Sequence, residues 1–148
     1  MKWFIITATI LLDQLSKWMV VRYLKEVGQV PIIEGIFHLR YLENRGAAFG
    51  LMQDQQVFFI VITVIIVGWI VWFLIKNPQV NRMLMLSLSL IAGGAIGNFI
   101  DRLFFGYVVD FLDFQVWPVF NIADIAIVGG QILLIYFIIK DQPISEGM

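Results

Sequence analysis

Residues 57–75 are nineteen consecutive positions without a charge. At ~1.5 Å per residue a helix of that length reaches ~28 Å, close to the hydrocarbon thickness of a bilayer. A run like this has few folds open to it, because backbone amides in lipid must be paired within the protein. Residues 3–24, 83–105 and 120–139 can span in the same way. The first of these opens like a secretory signal, one basic residue and then an apolar stretch. No small-x-small cleavage site follows, so it reads as an uncleaved span. Charged residues make up 14% of the 148-residue chain, against about 25% in soluble domains. The fold class expected is all-α integral membrane: four transmembrane helices in a single domain, 1–148. Polar interval 25–56 and loop 106–119 fall on one side of the membrane. Both termini and the 76–82 turn fall on the other. The basic residues do not settle which side is which.

The polar interval is expected to form a small β-sheet lying on the membrane surface. Residues 36–43 alternate, with Phe37, Leu39 and Tyr41 on one side and His38 and Arg40 on the other, a period of two. Residues 108–114 alternate in the same way. His38 reads as a solvated strand residue. Gly93 and Gly97, and Ala126 and Gly130, set small residues four apart, the spacing that lets membrane helices pack closely.

The chain has no cysteine and one histidine. Thiol chemistry, disulfides and a cysteine metal site are excluded. A histidine zinc site or a Ser-His-Asp triad is disfavoured. No metal and no cofactor are expected. The net charge of −1 gives no reason to expect a nucleic-acid partner. Chemistry, if there is any, falls to carboxylates. Four of the eleven lie between residues 97 and 124: Asp101, Asp110, Asp113 and Asp124. A carboxylate near hydrocarbon needs a partner or a function. Asp13 and Lys17, four apart on one helix face, read as a structural ion pair. Asn98, Asp101 and Arg102 share a face at the end of the third span. Asn121 can cap the fourth helix, and Asp124 suits its positive end. Two carboxylates brought together cannot both ionise cheaply, which supplies one general acid and one general base. Asp110 with Asp124, Asp101 with Asp110, and Asp113 with Asp124 all satisfy that chemistry on spacing alone.

Five elements occur in order: DQLSK at 13–17, NRGAAFG at 44–50, GNFIDR at 97–102, VVDF at 108–111 and FNIAD at 120–124. Together they resemble the lipoprotein signal peptidases, the bacterial type II signal peptidases, over essentially the whole chain. The resemblance implies a membrane-embedded aspartyl endopeptidase that cleaves diacylglyceryl-modified prolipoproteins just before the lipidated cysteine. It implies Asp110 and Asp124 as the catalytic pair. It implies Asn44, Gly46, Asn98, Arg102 and Asn121 as residues that bind substrate or hold the pair, with Asp101 and the Asp13–Lys17 pair structural. NRGAAFG would clasp the substrate. A monomer in contact with membrane lipid is expected in the bacterial cytoplasmic membrane. Its termini would be cytoplasmic and its site at the outer face.

Overall fold

The computed structural model describes residues 1–46 and 55–141. Residues 47–50, the end of the NRGAAFG element, lie outside the described residues. Four helices are long and apolar enough to cross a membrane: α1 (Lys2–Leu24), α2 (Gln56–Lys76), α3 (Arg82–Phe105) and α4 (Ile122–Asp141). Strands β1 (Gln29–Ile33), β2 (Phe37–Asn44) and β3 (Val108–Asp113) form one antiparallel sheet in the order β1-β2-β3.

The bundle inverts the pattern of a soluble protein. In α1 the buried residues are Ile6, Thr9, Asp13, Lys17 and Val20. They recur every three or four positions and so form one stripe. The stripe carries the polar side chains, while Phe4, Leu11, Leu15 and Trp18 point outward. With hydrocarbon as the outer solvent, apolar residues lose nothing there, and polar ones must find partners inside.

Helix α3 lies at the centre and packs against the other three helices and β3. Its glycines make this possible. A Cβ at Gly93 would sit 2.8 Å from Thr9 Cβ of α1, and one at Gly130 of α4 would sit 2.8 Å from Ser87 O of α3. Both distances are too short for a real side chain. Close packing of this kind supplies the association that lipid does not. Helix α2 is held more sparsely, with Ile70 and Leu74 its buried residues. Lys2 donates to the Leu74 carbonyl at one end, and Gln56 donates to the Gly106 carbonyl at the other.

Helix α4 starts at Ile122, later than residue 120, for a visible reason. Phe120 still bridges to Leu112, and Asn121 closes the helix end. The sheet register sets Asn44 opposite Val108 and Leu42 opposite Asp110. Asn44 and Asp110 are therefore diagonal neighbours on one face, within reach of each other's side chains. His38 is half-buried rather than solvated, and its Nδ1 is 3.4 Å from Gln115 Nε2.

Candidate active site

The local order of α4 starts from a reciprocal cap. The Asn121 side chain accepts a hydrogen bond from Asp124 N at 2.9 Å, and the Asp124 carboxylate accepts one from Asn121 N at 3.2 Å. This satisfies two amides that a helix start otherwise leaves unpaired. It also fixes the Asp124 side chain at the end of the bundle, facing β3.

Asp110 arrives from β3, buried to 1% exposure. Its Oδ2 accepts from Asn44 Nδ2 at 2.8 Å, and its Oδ1 accepts from Asn121 Nδ2 at 2.7 Å. Asp124 Oδ1 accepts from Asn98 Nδ2 at 2.8 Å. Asn121 also donates to Asn98 Oδ1 at 3.0 Å. Three asparagines from β2, α3 and the start of α4 thus hold the two carboxylates. Each such bond to a charged group contributes on the order of 1.5–3 kcal/mol. Among the described residues neither carboxylate forms an ion pair. Burial, and after it the charge of Asp124, raise the Asp110 pKa from 3.8 to about 7, against the opposing pull of the Asn44 and Asn121 amides.

The other two carboxylates of the segment have different partners. Asp101 Oδ2 lies 3.0 Å from Lys17 Nζ and accepts from Val109 N at 3.0 Å. Asp113 lies 3.8 Å from Arg40 and accepts from Gln115 N. Of the three pairings open on spacing, the geometry gathers Asp110 and Asp124 around one asparagine and gives Asp101 and Asp113 other partners, although Asp113 lines the same cavity as the pair.

Asn44, Gly46, Asn98, Arg102, Asp110 and Asp124 all line one cavity of about 1340 Å³. Asn121 lies behind it, fully buried. The cavity is polar at the carboxylates and runs out along α4 past Ile125, Val128, Gly129 and Ile132. Arg102 donates to Gly46 O at 3.2 Å, and its guanidinium lies 4.8 Å from the centre of the Phe59 ring. Phe59 and Gln56 were not singled out in the sequence. Phe59 sits in the uncharged run 57–75 and Gln56 at the end of the polar interval, where nothing marks contacts made 43 and 50 positions away. Among the described residues, no three or more His, Cys, Asp or Glu gather as a metal site.

The arrangement can carry acid–base chemistry on water: two carboxylates, one protonated near neutral pH, at the floor of a cleft open to a long ligand. The family model described as signal peptidase (SPase) II matches residues 5–140. The chain belongs to the signal peptidase II family. It is 44% identical over 146 residues to a lipoprotein signal peptidase of Halothermothrix orenii, covering 99% of this chain and 100% of that one. It is 48% identical over 136 residues to one of Caldanaerobacter subterraneus, covering 91% and 93%. A bacterial membrane enzyme structure obtained by the in meso method at 2.3 Å superposes with a TM-score of 0.89 at 34% identity, covering 99% of this chain and 94% of that one. The enzyme is thus a multi-pass membrane peptidase of the aspartic type.

Proposed function

We propose that the enzyme removes signal peptides from prolipoproteins by cutting just before a diacylglyceryl-modified cysteine, with Asp110 and Asp124 as its catalytic pair. The observation that carries this is the pair itself: two carboxylates with no ion-pair partner among the described residues, held by asparagine amides at the floor of a cavity whose far end is apolar. We assign the proton of the pair to Asp110, whose carboxyl pKa is pushed up to about 7 by burial and by the neighbouring charge of Asp124. Asp124 is then the base. It takes a proton from a water, whose oxygen attacks the scissile carbonyl carbon. Asp110 polarises the carbonyl oxygen and then delivers its proton to the departing nitrogen as the C–N bond breaks. Asn44, Asn98 and Asn121 keep the carboxylates in place. Arg102, which spends one N–H on Gly46 O, turns its remaining donors to substrate oxygens as a planar fork.

The apolar wall along α4 suits a signal peptide lying as a helix in the bilayer, and the lipid on the cysteine holds the bond at the depth of the pair. The termini are cytoplasmic and the cavity is at the outer face of the cytoplasmic membrane. A monomer suffices, since one chain supplies every group. The test is cleavage of a diacylglyceryl-modified prolipoprotein in detergent. Asp110→Asn and Asp124→Asn should each lower turnover by more than about a thousandfold in a folded protein. Near-normal turnover in either variant, or equal cleavage of the unlipidated precursor, overturns the proposal.

A further inference from the structure

Lys17 is buried to 3% exposure in α1 and lies outside the cavity. Its ammonium has three partners: Asp13 Oδ2 at 2.8 Å, Asp101 Oδ2 at 3.0 Å and Asn98 Oδ1 at 2.9 Å. An ion pair that served only to dock helices needs no more than the two carboxylates. The third contact leads into the site. Asn98 receives Lys17 and Asn121 on its oxygen, and this turns its amide nitrogen to Asp124. In the reverse orientation its NH₂ would face an ammonium and an amide, and its oxygen would face a carboxylate. Those are three repulsive contacts in place of three hydrogen bonds.

The two carboxylates of the cluster reach the site from below. Asp13 Oδ1 accepts from Ala123 N at 2.9 Å, and Asp101 Oδ2 accepts from Val109 N at 3.0 Å. Ala123 directly precedes Asp124, and Val109 directly precedes Asp110. Gln14 completes the cluster by donating to Asp13 Oδ2, Gly97 O and Asp101 Oδ1. A buried charge trio thus holds the backbone next to each site aspartate and fixes the rotamer of the amide that serves one of them.

We infer that Lys17 is a positioning residue of the cleavage reaction, acting through Asn98 on Asp124, so that the DQLSK element belongs to the catalytic machinery as well as to helix packing. This rests on the proposed roles of Asp110 and Asp124. A Lys17→Met/Asp13→Asn double variant tests it. The variant removes the ammonium without changing the net charge of the cluster and leaves an acceptor for Ala123 N. Folded protein should show kcat at least tenfold below wild type with KM within about twofold. With Asn98→Ala already in place, the same double change should lower kcat less than twofold further. Lys17→Gln/Asp13→Asn, whose amide can again donate to Asn98, should recover kcat to within tenfold of wild type. A folded Met variant with kcat within twofold of wild type overturns the inference, and so does full additivity with Asn98→Ala. If the Met variant does not fold, the Gln variant decides alone: folded but no more active than Asp124→Asn, it overturns the inference. Wild-type enzyme that fails to cleave a lipidated prolipoprotein instead overturns the proposed function, which keeps the two failures apart.

Discussion

Asp13 and Asp101 are as deeply buried as Asp110, at 0% and 1% exposure against 1%. They face an ammonium, whereas Asp110 and Asp124 face amides. The difference separates two uses of a carboxylate in one bundle. Beside Lys17 the charge is compensated, so Asp13 and Asp101 serve as fixed acceptors for the backbone of α4 and β3. Beside asparagines the charge is stabilised only in part. Both carboxylates also line the cavity, where the proposed chemistry would take place. A membrane protein can afford a few buried acids of each kind, but the partner decides the role.

The largest expected effect breaks this contrast directly. Lys17→Met alone strands two buried carboxylates, and breaking such a cluster costs about 3–5 kcal/mol. Thermal unfolding in detergent should show a steep loss of stability. Asp110→Asn puts a neutral side chain where the carboxyl has no ion-pair partner among the described residues, so the same measurement should show stability unchanged or raised. Equal losses in both would erase the distinction.

Next in size is a pH effect. The folded pKa of Asp110 lies above its unfolded value, about 7 against 3.8. Between those values the folded state binds more protons than the unfolded one, so stability should fall as pH rises from about 4 to about 7. Asp110→Asn should flatten that slope. The rate of cleavage should decline on the alkaline side with a midpoint near 7, as the pair loses its shared proton.

Two adjacent glycines give a smaller effect. At Gly130 a Cβ would meet Ser87 O and Ile91 Cγ1 at 2.8 Å, whereas at Gly129 it would meet nothing within 4 Å. Gly130→Ala should cost about 1–3 kcal/mol in thermal unfolding, and Gly129→Ala well under about 0.5 kcal/mol. The smallest effect is expected for Phe59→Leu, which loses a cation–π contact worth about 0.5–2 kcal/mol. It should raise KM severalfold with kcat kept, and Phe59→Tyr should restore it.

The spans and the two strands beside the site were legible because hydrophobic length and alternation are local signals. The Asp13–Lys17 pair was legible for the same reason, at four positions apart on one helix. That Asp101 and Asn98 complete it was not, since α3 meets α1 only through contacts that glycine spacing permits but does not address. The choice of Asp110 with Asp124 over its rivals came from resemblance and not from spacing. The register of β2 on β3 and the separate partners of Asp101 and Asp113 support that pairing, which remains a proposal. Strand β1 gave little signal, because all five of its residues are exposed.

The reciprocal bond between Asn121 and Asp124 joins architecture to reactivity in a single half-turn. Fraying there withdraws a proposed reacting group at once, while the remaining membrane crossings still hold. Gentle warming should therefore silence the peptidase before the bundle itself comes apart.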